Sequence, residues 1–333
     1  MTEALIAFAL VAVGIVVLLY GGDLLVRGAT SLARKVGIPS LIVGLTIVAF
    51  GTSAPEMVVS AAAALEGAPG LAIGNIVGSN IANILLVLGV PALLAPLATQ
   101  VAGVRSNATI ALLLTGVFIW MGLDGQLTLN EGVALAVGIG LYILYLAIVA
   151  SRSTDDPVLA EMTDIDHMDG LPKTPLMVGV FLLAGLVLLP AGARMIVTGA
   201  VDIAAYFHVP EAVVGLTVLA IGTSLPELAT AMVAALRKQA EMAIGNVIGS
   251  NIFNICAVGG ITGISAALAT GAPAPFDPTF VRFDFWVMAG AMMVVTLLVF
   301  ARRPVGRMLG GVFALGYVGY LAALVLMNPP SVG

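Results

Sequence analysis

Val43–Glu56 reads VGLTIVAFGTSAPE, and 171 residues later Val214–Glu227 reads VGLTVLAIGTSLPE, with ten of the fourteen positions identical. A second pair keeps the same offset. Ala72–Ile84, AIGNIVGSNIANI, and Ala243–Ile255, AIGNVIGSNIFNI, share ten of thirteen positions. Two apolar helices match Leu with Leu by chance, but a fixed order of Gly, Thr, Ser, Pro, Glu and Asn marks a duplication. Weaker matches, Gly28 with Gly199 and Pro39 with Pro210, carry the repeat backwards.

The chain around these motifs is too apolar for a soluble domain. Hydrophobic residues make up 60% of its 333 residues and charged residues 9%, against about 25% charged in soluble proteins. Crossing the hydrocarbon takes roughly 20 helical residues. Ten stretches qualify: 4–31, 40–65, 71–95, 105–122, 130–150, 174–201, 210–236, 242–266, 281–300 and 306–327. Short alternating segments of a β-barrel are not seen, and backbone hydrogen bonding in lipid then requires helices. Met1–Tyr20 carries Glu3 in place of a basic flank and reads as the first span, not a signal peptide.

The predicted fold is therefore an all-α polytopic membrane protein. Ten transmembrane helices form two five-helix repeats, 1–150 and 174–333, joined by an acidic connector, 151–173. Five is odd, so equivalent helices cross in opposite directions, an inverted repeat of the kind secondary transporters build around a midplane site. Arg27, Arg34, Lys35, Arg105, Arg152, Lys173, Arg237, Lys238, Arg302, Arg303 and Arg307, 11 of the 13 basic residues, fall in or beside odd-numbered connections. The positive-inside rule places those connections in the cytoplasm and both termini outside. The connector holds Asp155, Asp156, Glu161, Asp164, Asp166 and Asp169. A calcium-sensing strip is one reading, but the spacing does not fit an EF-hand, which favours a plain acidic linker.

Several function classes drop out. Cys256 is the only cysteine, and His167 and His208 lie in different loops, which offers no disulfide and little for zinc. No basic tract suggests nucleic acid, and no phosphate-cradling G-x-x-x-x-G-K-[ST] loop or soluble catalytic domain suggests an ATP-driven pump or an enzyme. Expected partners are small ions and membrane lipid, with no resident cofactor.

The polar residues inside the spans carry the chemistry. Glu56 and Glu227 lie deep in helices 2 and 7, where an ionisable group marks a functional site by default. Each follows a helix-breaking cluster, with Pro55 and Pro226 freeing the carbonyls of Gly51 and Gly222 and letting those of Thr52 and Thr223 turn inward. Ser53 and Ser224 precede the glutamates by three positions and share a helix face with them. Ala49 and Ala220, a turn further back, offer backbone oxygen. Helices 3 and 8 present Asn75, Ser79 and Asn83, and Asn246, Ser250 and Asn254, as matched stripes. Gly74 and Gly78, and Gly245 and Gly249, have the spacing of close helix contacts in membranes. Asn80 and Asn251 fall off the stripes and read as packing supports. Two carboxylates among hydroxyls and carbonyls, with no basic partner nearby, suit hard cations: one divalent ion, or two or three monovalent ones.

GTSAPE at 51–56, GTSLPE at 222–227, GNIVGSNIAN at 74–83 and GNVIGSNIFN at 245–254 resemble the paired repeats of the cation/calcium exchanger superfamily, most closely its prokaryotic sodium/calcium exchanger branch. That resemblance implies a prokaryotic plasma membrane, alternating access, and sodium entry driving calcium export. It assigns calcium to Glu56 and Glu227 with the Thr52 and Thr223 carbonyls. It assigns sodium to those glutamates with Ser53, Ser79, Ser224 and Ser250, joined by the Ala49 and Ala220 carbonyls, and makes Asn83 a further polar position. Some members carry aspartate where this chain has Asn254, typically those that depend on potassium, so the resemblance implies no potassium cotransport here. Proton/calcium exchange stands as the alternative, and a non-transporting scaffold behind it.

Overall fold

The computed structural model describes residues 2–153, 170–207 and 220–327. Its helices are α1 (Thr2–Val36), α2 (Ser40–Leu65), α3 (Pro69–Leu94), α4 (Val104–Gly122), α5 (Leu129–Ser153), α6 (Pro175–Tyr206), α7 (Ala220–Gly222 and Leu225–Leu236), α8 (Ala240–Thr270), α9 (Phe280–Phe300) and α10 (Arg307–Met327). Nine of them, among the described residues, are long and apolar enough to span a membrane, and α7 contributes a shorter apolar helix. The beginning of the expected seventh span, with Pro210 and His208, lies outside the described residues, as do His167 and the acidic cluster of the connector. The protein is an all-helical, polytopic membrane protein, and the expected spans agree with these helices to within a few residues at most ends.

α1 and α6 form the most extensive helix pair, and glycine explains how closely they approach. Gly14, Gly21 and Gly28 on α1 recur every seven residues, and their counterparts 171 residues on are Gly185, Gly192 and Gly199 on α6. A Cβ on Gly192 would sit 2.6 Å from the Leu18 nitrogen, and one on Gly185 2.7 Å from the Leu25 Cβ. Gly14 faces Gly192 and Ile196, Gly21 faces Leu188, and Gly28 faces Leu182. Rising numbers on α1 meet falling numbers on α6, so these equivalent helices run antiparallel, consistent with an inverted repeat.

The connections sort by parity as well. Ser31, near the end of α1, donates to the Pro172 carbonyl (2.8 Å), and Lys35 to that of Lys173 (2.7 Å). Arg237, after α7, pairs with Asp23 on α1, which also holds Arg27. The third connection meets the ninth through Leu97 and Val305 and through Thr99 on the Arg303 carbonyl (3.0 Å). The fourth and eighth pair as two-residue strands, β1 (Gln126–Leu127) and β2 (Ala274–Pro275). Odd meets odd and even meets even, as alternate crossings require.

Among the described spans α8 is the most deeply enclosed after α3. It runs alongside α2, with Gly245 against Leu41 and Gly249 against Leu45 and Ala49. The positions equivalent to Leu41 and Leu45, 212 and 216, lie outside the described residues.

Candidate functional site

The two glutamate helices depart from regular geometry in different ways. In α2 the irregularity precedes the motif: Gly44–Val48 is π-helical, and Ala49–Leu65 then continues as one α-helix with Pro55 inside it. In α7 the chain breaks within the motif. Ala220–Gly222 is helical, the Ser224 N–H donates to the Ile221 carbonyl (3.0 Å), and a new helix starts at Leu225. Pro226 then lies in a first turn, where its missing N–H costs nothing. Glu227 stands in that same turn, at the positive end of the helix dipole. The expected bend is thus a break in α7 and a π-helical stretch in α2. The α2 helix continues through Pro55.

The expected residues converge. Thr52, Ser53, Glu56, Ser79, Asn83, Ser224, Glu227, Ser250 and Asn254 are all buried, none more than 2% exposed. Thr223 meets Ser79, hydroxyl to hydroxyl, at 3.5 Å, and Thr52 meets Ser250 at the same 3.5 Å. Ala49 is buried, and its carbonyl accepts from the Thr52 hydroxyl at 3.4 Å. Ala220 lies in the helical segment that precedes the break in α7.

Ser53 and Glu56 lie three residues apart in one continuous helix, and Ser53 also bonds outside it. Its hydroxyl reaches across to the other repeat and donates to Glu227 Oε1 at 3.3 Å. Asn75 is only half-buried and donates to Ser60 (3.1 Å). Its counterpart Asn246 is buried, donates to Thr230 (3.0 Å) and accepts from Thr52 (3.2 Å). Thr230 and Ser60 were not singled out from the sequence; the available signal for Thr230 was its position one turn after Glu227. Asn251 bridges α8 to α3, accepting from Asn83 at 3.0 Å. Asn80 turns its amide to the Ile76 carbonyl of its own helix (2.7 Å).

What is left without a partner defines the chemistry. Both oxygens of Glu56, Oε2 of Glu227, the Ser224 hydroxyl, Oδ1 of Asn83 and of Asn80, and both amide atoms of Asn254 are buried with no hydrogen bond. Unpaired buried polar atoms are costly, and a native structure keeps few of them. Most here are oxygens that accept. That inventory fits a hard cation. Cys256 is buried and free, and no group of three or more His, Cys, Asp or Glu occurs among the described residues. A further buried carboxyl, Asp284 on α9, is bonded by the Tyr320 hydroxyl (2.7 Å).

A polytopic helical protein with paired, oxygen-lined motifs has the plan of a cation transporter. The family model described as "Sodium/calcium exchanger protein" matches residues 6–151 and 177–326. The putative antiporter CaxA of Alkalimonas amylolytica is 39% identical, covering 95% of this chain and 98% of its own. The inner membrane protein YrbG of Escherichia coli is 38% identical, covering 98% of both. Among solved structures, one of the sodium-calcium exchanger NCX_Mj superposes with a TM-score of 0.80 at 30% identity, covering 97% of this chain and 99% of that one. The chain belongs to the sodium/calcium exchanger family, on its prokaryotic branch. It is a cation/calcium antiporter embedded in a membrane, a transporter by family.

Proposed function

We propose that the protein exchanges sodium for calcium by alternating access, with both ions using one site between the repeats. The observation that carries this reading is the pair of buried glutamates, Glu56 and Glu227, whose unpartnered oxygens lie among neutral hydroxyl, amide and carbonyl oxygens. Two negative charges balance one Ca²⁺ or a small set of Na⁺ ions. Because the same carboxylates serve both cargoes, occupancy by one excludes the other, which couples the two fluxes. Calcium takes Glu56 and Glu227 with the Thr52 and Thr223 carbonyls. Sodium adds Ser53, Ser79, Ser224 and Ser250 and the Ala49 and Ala220 carbonyls, with Asn83 and Asn254 completing the walls. The names of the relatives, an antiporter and a sodium-calcium exchanger, support the same reading.

In proteoliposomes loaded with sodium, ⁴⁵Ca uptake is expected to rise with the outward sodium gradient. Calcium flux indifferent to sodium but driven by a pH gradient would replace this reading with proton/calcium exchange. Absence of any flux, with binding to a protein partner retained, would leave a scaffold.

The proposed organisation is two halves, 1–150 and 174–333, joined by a cytoplasmic connector, 151–173, with both termini outside a prokaryotic plasma membrane. The grouping of odd connections at one end supports it. An Ala160→Cys reporter in a Cys256→Ser background is expected to react with an impermeant thiol reagent only after intact cells are opened. Labelling exclusively from outside would reverse the orientation.

A further inference from the structure

The duplicated sequence makes every contact in the site testable against its counterpart, obtained by moving each partner 171 positions into the other repeat. One pair passes that test. Thr52 with Ser250 becomes Thr223 with Ser79, and both contacts are 3.5 Å. Two others do not. Ser53 donates to Glu227 Oε1 at 3.3 Å. Its counterpart, Ser224 to Glu56, is unmade, and the Ser224 hydroxyl and both Glu56 oxygens are buried without a partner. Asn83 donates to Asn251 at 3.0 Å. Its counterpart, Asn254 to Asn80, is unmade too: Asn254 Nδ2, the donor, and Asn80 Oδ1, the acceptor, are both buried and unpartnered.

The atoms needed for each missing bond are therefore present, buried and unsatisfied on one side of the pseudo-symmetry, while the matching bonds are made on the other. Asn80 shows how the unmade amide pair is parked, with its Nδ2 held by the Ile76 carbonyl of its own helix at 2.7 Å. Asn251, its counterpart, instead faces across to α3, where its Nδ2 also approaches the Asn80 carbonyl at 3.5 Å. The helices show the same bias: α2 is continuous through Gly51–Glu56, whereas α7 breaks at Thr223–Ser224.

We infer that Asn80 and Asn251 are alternating positioning residues: Asn251 holds Asn83 in the state seen here, and Asn80 holds Asn254 in the state facing the opposite side of the membrane. The inference rests on alternating access at this site. Each state makes one amide bond and leaves the other's atoms unpaired, so the two states differ in wiring but not in the number of bonds. A near-equal balance is what a two-way exchanger needs, since a large bias would leave one state rarely populated. Neither asparagine bears on the charge of the site. Each acts through the amide it holds.

The test is calcium–calcium exchange in right-side-out and inside-out membrane vesicles, reading the half-saturating calcium concentration at each face. Asn251→Ala removes the bond of the present state and favours the other. Asn80→Ala does the reverse. The ratio of the two half-saturation values is expected to shift about five-fold in one direction for Asn251→Ala and about five-fold in the other for Asn80→Ala, the size of one neutral hydrogen bond. The double variant is expected to return near the wild-type ratio. Asn→Ser at each position gives smaller shifts of the same sign and serves where an alanine variant fails to insert. Shifts in the same direction, or an unmoved ratio with exchange intact, would overturn the assignment. Wild-type protein with no calcium–calcium exchange at all would overturn the transport reading, and this one with it.

Discussion

Glu56→Gln and Glu227→Gln are each expected to weaken calcium binding by two to three powers of ten and to abolish measurable exchange at ordinary calcium levels. Both side chains are buried, at 1% and 0% exposure, and three of their four oxygens have no hydrogen bond. The glutamine amide keeps the volume but halves the negative charge of the site and turns an N–H₂ toward the cation. Leaving a buried charge without its partner costs about 3–5 kcal/mol, and about 1.4 kcal/mol is a factor of ten. The neutral oxygens around the site cannot replace the lost charge, because they carry no net charge of their own. Asn80→Ala, by contrast, removes no charge and is expected to change calcium affinity summed over both faces by less than ten-fold. Side-by-side ⁴⁵Ca binding and transport assays check the comparison. Wild-type affinity in both glutamine variants would sink the assigned roles.

Why the glutamates were legible from the sequence is plain: a carboxylate beside proline and glycine in an apolar stretch has few structural explanations, and its recurrence 171 residues later removes most of those. The spans were legible for a similar reason, since hydrocarbon thickness fixes their length. The antiparallel seam between α1 and α6 was half visible. Gly28 and Gly199 matched, but the seven-residue spacing of Gly14, Gly21 and Gly28 gains meaning only when their counterparts are seen pressed against the facing backbone.

Spacing along one helix did not reveal bonds between helices. Ser53 lies one turn from Glu56, yet its hydroxyl serves Glu227, on the other glutamate helix. Asn251 looked like general packing from its place off the stripe, and the structure gives it a specific partner, Asn83. Thr230 was invisible among ordinary polar residues until Asn246 was seen to rest on it. Helix periodicity tells which face a residue occupies. It does not tell which neighbour that face will meet.

Asn254→Asp is expected to change the ion and pH profile of exchange more than its maximal rate, while the parent protein exchanges without potassium. Asn254 is buried, begins the π-helical stretch Asn254–Val258 of α8, and has both amide atoms unpartnered. An aspartate there adds a third carboxylate to a site that already holds two. Like charges confined together favour the uptake of a proton by one of them, and an added cation can satisfy the same demand. Flux in the variant is therefore expected to fall more steeply on acidification than in the parent, and to recover in part when potassium is supplied. The substitution also removes the Nδ2 donor that would reach Asn80, but losing one amide bond shifts the balance between the two facing states without creating a need for a new ion. Sodium-driven calcium flux measured across pH, with and without potassium, separates the two effects. Strict potassium dependence in the parent would refute the selectivity reading. An unchanged ion and pH profile in the variant would place position 254 outside the coupled site, because no buried carboxylate can join two others without either a proton or a cation to balance it.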